Sequence, residues 1–180
     1  MNLYLVRHAV AYDHSDPAFL NDADRTLTPE GRKKFRRAAF GLLELIEPPA
    51  AILTSPLPRA MQTAEILREA AGRETPIAVC EGMRPRGSFD DVLRECHARA
   101  RAGGTDADRN PVLKHGIALV GHAPSIGLLG AWLLNGDAAR FSLTLRKGGV
   151  ASIAFDDLPV AGGGELEWLL TPRILRALAG

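Results

Sequence analysis

A chain of 180 residues and 19.3 kDa has the length of one domain. With 46% apolar and 24% charged residues, it has the mix of an ordinary globule rather than a disordered chain. Lys and Arg number 22 against 21 Asp and Glu, so a net charge of +1 gives no global field to hold a nucleic acid or an anionic membrane.

Strands and helices alternate along the chain. Asn2 to Val6 is a short apolar run that predicts a central strand. It is too short for a signal-peptide core and has no basic stretch before it. A polar loop follows, Asp13 to Asn21. Thr28 as N-cap and Pro29 at the first helical position predict a helix. Phe35, Ala38, Ala39, Leu42, Leu43 and Ile46 line one face of it, and Pro48 and Pro49 stop it. Lys33, Lys34, Arg36 and Arg37 read as its solvated face. Ala50 to Thr54 is a second strand, Ser55 to Pro58 a turn, and Pro58 to Ala71 a second helix. Pro76 to Cys80 is a third strand, and Phe89, Val92, Leu93, Cys96 and Ala100 mark a third helix. Gly103 to Pro111 is polar and breaker-rich, hence a surface loop.

Gly116 to Leu134 contains no Asp, Glu, Lys or Arg, but His122, Pro124 and Ser125 interrupt it. It therefore reads as a buried strand, a turn and a buried helix (Pro124 to Leu134), not a membrane span. Val150 to Phe155 and Glu165 to Leu170 are strands at one sheet edge, and Pro172 to Ala179 closes as a short helix. The alternation predicts a single-domain three-layer α/β/α sandwich on a mostly parallel central sheet, without a large lid insertion. Two cysteines, Cys80 and Cys96, are too few for a disulfide scaffold and read as buried thiols.

Three segments put a cationic or reactive residue just after a strand: Arg7-His8, Arg59 and Gly121-His122. Open α/β sheets bind ligands at the carboxyl ends of their strands, so Arg7, His8, Arg59 and His122 can meet there. Two guanidinium forks, two imidazoles and nearby helix N-termini suit a dianionic phosphate. Of the 22 basic residues 18 are Arg, the side chain that grips phosphate bidentately. A zinc site is the rival reading for the two histidines, but no third ligand stands at zinc spacing and neighbouring Arg repels cations. His14, His97 and His115 read as exposed or capping residues.

Leu5-Val6-Arg7-His8-Ala9, Leu27-Thr28-Pro29-Glu30-Gly31, Ser55 to Ala64 and Val120-Gly121-His122-Ala123-Pro124 together resemble the histidine phosphatase superfamily. In length the chain is similar to the compact branch of SixA-type phosphohistidine phosphatases. The resemblance spans nearly all of 1–180 and implies one catalytic domain. It implies that His8 attacks phosphorus and that Arg7, Arg59 and His122 hold the phosphoryl oxygens. Ser15, in the loop after His8, is a candidate donor to phosphate, with a plain loop serine as the other reading. No metal or cofactor is implied. Arg25, Arg84 and Arg86 are candidates for the substrate rim. Two positions depart from the family pattern. Ala9 stands for the usual Gly, which matters only where the backbone needs a positive φ or close contact. Pro85 falls where a glutamic acid is expected, which leaves Glu81, Asp90 and Asp91 as candidate general acids.

Phosphohistidine can be protonated on its ring and leave as neutral imidazole, so it has less need of a dedicated acid. Only some thirty-five residues separate the third and fourth strands, which leaves little chain for a lid. The expectation is a cytoplasmic phosphatase, a monomer or weak dimer, acting on protein phosphohistidine without nucleic-acid or membrane partners. A general phosphomonoesterase for small phosphates, or a catalytically weak phospho-ligand binding module, are the alternatives.

Overall fold

The computed structural model describes residues 1–13, 15–19, 21–104 and 109–180. Among these lie six strands: β1 (Asn2–Arg7), β2 (Ala51–Thr54), β3 (Ile77–Val79), β4 (Ile117–Gly121), β5 (Val150–Ala154) and β6 (Glu165–Leu170). Six α-helices accompany them: α1 (Pro29–Leu43), α2 (Pro58–Ala71), α3 (Phe89–Ala102), α4 (Pro111–His115), α5 (Ser125–Asn135) and α6 (Pro172–Leu178). They form one sheet in the order β3-β2-β4-β1-β5-β6. β3, β2, β4 and β1 run parallel, whereas β5 is antiparallel to both β1 and β6.

Side chains of β1 alternate between two cores, as a strand buried on both faces must. Leu3 and Leu5 join Val92, Cys96, Val112, Ile126 and Leu129 beneath α3, α4 and α5. Tyr4 and Val6 join Phe35, Ala38, Leu42, Ala64, Leu67 and Leu175 beneath α1, α2 and α6. The three layers follow directly. The apolar run 116–134 divides into β4, a turn and α5, and among the described residues no helix is long and apolar enough to cross a membrane.

Two expectations need correcting. α1 ends at Leu43, not at Pro48–Pro49, so Ile46 lies outside it. A residue before proline is pushed out of the helical region, and the last turn tightens onto Leu42, whose carbonyl takes both Leu45 N–H (2.9 Å) and Ile46 N–H (3.2 Å). Pro111 belongs not to a loop but to the start of α4, where Asn110 caps the N–H groups of Val112 and Leu113. Thr105 to Asp108 of that expected loop, and His14, lie outside the described residues. His97 is half-buried and donates to the Pro159 carbonyl at 2.7 Å, while His115 ends α4 half-buried.

Candidate active site

The register of β1 on β4 pairs Arg7 with Gly121, so His8 and His122 emerge side by side. His8 N–H donates to the Gly121 carbonyl at 3.0 Å, and the two rings lie 5.1 Å apart at 53°. β2 pairs with the other edge of β4, which sets Ser55 beside His122, at 2.8 Å from Ser55 Oγ to His122 Nε2. Arg59 stands in the first turn of α2, directly after that strand and turn. Sheet order, not sequence proximity, thus collects Arg7, His8, Arg59 and His122. His8 is 6% exposed, His122 3% and Arg59 3%.

A hydrogen bond sets the proton position on His8. His8 Nδ1 lies 2.7 Å from the Ala9 carbonyl oxygen, which can only accept, so Nδ1 carries the proton and Nε2 keeps its lone pair. Leu57 N–H donates to Ser55 Oγ at 3.3 Å, and the hydroxyl's remaining lone pair and proton face His122 Nε2, so this contact orients the His122 ring. Burial, with the charges of Arg59, Arg7 and Lys147, drives the His8 pKa down to about 3 against the opposing Ala9 hydrogen bond. Burial, His8, Arg59 and Arg25 drive His122 down to about 3 as well. Both rings are therefore neutral at pH 7.

The guanidiniums are held by backbone and by one carboxylate. Arg7 donates to the Leu145 carbonyl at 2.8 Å. Arg59 donates to the Asp22 carbonyl at 2.8 Å and to Asp22 Oδ2 at 3.1 Å. Arg25 grips Asp22 Oδ1 through Nε (2.8 Å) and Nη2 (2.6 Å), and donates to the Tyr12 carbonyl at 2.6 Å. Burial would raise the Asp22 carboxyl, but the Arg25 hydrogen bond and the charges of Arg59 and Arg25 outweigh it and hold it below its usual value. Arg7 Nε, Arg59 Nε and His122 Nδ1 are buried with no hydrogen-bond partner. An unpartnered buried donor costs about 1–3 kcal/mol, and two guanidinium Nε groups beside the paired imidazoles are an arrangement suited to the oxygens of an oxyanion.

The motifs around the site are structural braces. Thr63 Oγ1 accepts from Ala9 N–H at 3.1 Å and donates to the Arg59 carbonyl at 2.7 Å. Gln62 Oε1 accepts from Leu27 N–H at 2.8 Å. Thr28 N–H donates to the Val10 carbonyl at 3.0 Å. Ala9 has no positive φ and its methyl is buried in the α1/α2 core, so the departure from glycine is accommodated.

Other expected residues fall elsewhere. Ser15 forms an Asx turn on Asp13, its hydroxyl donating to Asp13 Oδ1 at 2.8 Å. Glu81 is ion-paired with Arg84, and Asp91 with Arg94. Glu81 and Asp91 line a separate cleft with Val79, Cys80 and Glu95, while Asp90 is exposed on the first turn of α3. None of the three bonds to the four central residues. Arg84 faces solvent on its Glu81 pair, and Arg86, at φ 64°, is tied by its N–H to Ser125 Oγ (3.0 Å) at the start of α5. Arg25 alone of the expected rim joins the site, through Asp22.

Asp22, Ser55 and the Arg146-Lys147 pair were not singled out from the sequence. Asp22 sits three residues before Arg25, a spacing suited to a local ion pair. Arg146 and Lys147 precede β5, and the charge of Arg146 acts on Arg7 as that of Lys147 acts on His8. Among the described residues no three His, Cys, Asp or Glu side chains cluster as a metal site would require.

Residues 3–87 match the model of the histidine phosphatase superfamily, branch 1. An uncharacterized protein of Picosynechococcus sp. is 35% identical over 153 residues, 85% of this chain and 84% of its own. By structure, the chain is similar to the protein histidine phosphatase SixA complexed with tungstate, with a TM-score of 0.76, 24% identity and 97% of this chain and 99% of that one covered. It is also similar to a mycobacterial glucosyl-3-phosphoglycerate phosphatase in complex with inorganic phosphate (TM-score 0.65, 19% identity, 96% and 98% covered). With residues 3–87 matching the superfamily's model, this protein belongs to the histidine phosphatase superfamily.

Proposed function

We propose that the protein hydrolyses phosphohistidine on a protein carrier, through a phosphoryl group held transiently on His8 Nε2. The observation that carries this reading is the His8 Nδ1–H bond to the Ala9 carbonyl, which leaves Nε2 as a neutral nucleophile. Family membership supports phosphatase chemistry in the coarser sense.

In the first step the Nε2 lone pair attacks phosphorus and the phosphorus–nitrogen bond of the substrate breaks. The substrate ring, protonated on its other nitrogen, departs as neutral imidazole. The His8 ring becomes a phosphoimidazolium whose positive charge rests on the Nδ1 proton shared with Ala9. In the second step water attacks phosphorus, His8 leaves as the neutral imidazole it was, and dihydrogen phosphate is released with both water protons. Neither step needs a proton from a carboxylic acid. That agrees with Asp22, the carboxylate bonded to Arg59, being locked as an anion between Arg25 and Arg59. An alkoxide leaving group would need such a proton. Arg7, Arg59 and His122 would carry the transferring oxygens, where preorganised donors contribute most.

A single-turnover reaction quenched in alkali, where phosphohistidine survives, should trap phosphate on His8, and His8→Asn should abolish it. A substrate panel decides the carrier. Turnover of a phosphohistidine peptide should exceed that of phosphoserine peptide, sugar phosphates and nucleotides, and faster turnover of any small ester would overturn the assignment.

A further inference from the structure

Beside the loop that follows His8 runs a second cleft, lined by Ala9, Val10, Lys34, Lys147, Pro172 and Arg176. It exists because β5 runs antiparallel to β1. The Val6–Val150 pair brings the segment preceding β5 to the same sheet edge as the catalytic loop. Gly148 N–H bridges the carbonyls of Arg7 (3.0 Å) and His8 (3.1 Å), fixing Lys147 next to the nucleophile's backbone. Gly148 does so at φ 78°, a conformation that favours glycine.

The cleft is cationic. Lys34 is paired with Glu30 at 3.2 Å, the carboxylate of the same helix turn. The side chains of Lys147 and Arg176 make no ion pair or hydrogen bond among the described residues; Lys147 comes from the segment before β5 and Arg176 from α6. Arg146, next in the chain, is likewise unpaired. In a protein of net charge +1, Arg146, Lys147 and Arg176 are a local concentration of positive charge without an ion-pair partner among the described residues. Interleaved with the cations are apolar surfaces: Val10, 39% exposed, and Pro172. A compact bisphosphate would use the charge and leave these surfaces bare, whereas a polypeptide with acidic side chains would cover both.

We propose that this cleft is a second binding site, in which Lys147 and Arg176 take acidic side chains flanking the phosphorylated residue of a protein substrate. The proposal rests on the phosphatase reading and adds the substrate's local sequence to it. The field of Lys147 at His8 is consistent with their closeness.

The test uses two phosphohistidine peptides of equal length, one flanked by Asp and Glu, the other by Asn and Gln, with p-nitrophenyl phosphate as a substrate that has no second anion. Wild type should process the acidic peptide at least tenfold more efficiently at low salt, through KM, and lose the preference as salt is raised. Arg176→Gln should cut the preference severalfold and leave p-nitrophenyl phosphate turnover unchanged, with Arg176→Lys restoring part of it. Lys147→Gln should lower the acidic-to-neutral ratio as well. Wild type that turns over both peptides equally, or a ratio that neither Gln variant moves, overturns the cleft assignment and leaves the phosphatase reading standing. Variants that lose a small bisphosphate while the peptide ratio stays constant also overturn it, in favour of a compact ligand. Wild type inactive on all three substrates overturns the phosphatase reading itself.

Discussion

Arg59 occupies the first turn of α2, where the helix dipole disfavours a cation and where Leu57 offers no side-chain cap. Asp22 offsets that cost, and its backbone and carboxylate oxygens hold the fork so that Nε stays unbonded. Arg59→Gln should therefore lower kcat by about 10²–10³, the usual loss for one preorganised oxyanion donor, and steady-state assay on the panel substrate would measure it. Asp22→Asn should cost roughly tenfold in kcat, about 1.5 kcal/mol for a charge-assisted hydrogen bond, with no loss of the trapped intermediate on His8. An Asp22→Asn enzyme with all intermediate trapping lost would instead make Asp22 a participant in the chemistry. The four central residues were legible in the sequence because each stands at the carboxyl end of a strand: Arg7 ends β1, His8 and His122 follow β1 and β4, and Arg59 opens the helix after β2. Asp22 and Ser55 were not, since their partners lie 37 and 67 positions away.

Elements position those residues by close backbone approach. The first turn of α1 sits directly on the loop that follows His8, and a Cβ at Gly31 would collide with the Val10 carbonyl. Gly31→Ala should destabilise the protein by about 1–3 kcal/mol, the range for overpacking, and displace the loop that carries His8. Urea denaturation would register the first effect and kcat the second; an unchanged midpoint would show that the loop can yield. The Thr28-Pro29 cap and the α2 limits were readable because capping and proline geometry are local. The end of α1 and the existence of α4 were misread, although Pro48 and the Asn110-Pro111 cap held the signal. At α1 the hydrophobic spacing ran on to Ile46, past the last helical turn, and at α4 a breaker-rich composition concealed an Asn cap followed by proline at the first helical position.

At the scale of the molecule, burial of two neutral imidazoles links stability to pH. Their pKa values of about 3 lie below the ordinary value of about 6.5, so below pH 6.5 the unfolded chain binds protons that the folded one refuses. Stability contributed by this pair should be complete above pH 6.5 and fall as pH drops toward 3, with a slope approaching about 1.4 kcal/mol per pH unit for each ring. The doubly substituted His8→Gln, His122→Gln protein should show a flatter profile in thermal melts between pH 4 and 6.5. An identical slope would mean that the rings protonate freely in the fold. Strand-helix alternation, helix caps and strand-end motifs are local patterns, so the amino-acid sequence alone determined the layers, the starts of α1 and α2 and the four candidate site residues. Sheet order and strand direction are long-range choices. Only the tertiary structure decided that β4 lies between β1 and β2, which sets His8 and Ser55 against His122, and that β5 runs antiparallel, which carries Arg146 and Lys147 to the mouth of the site.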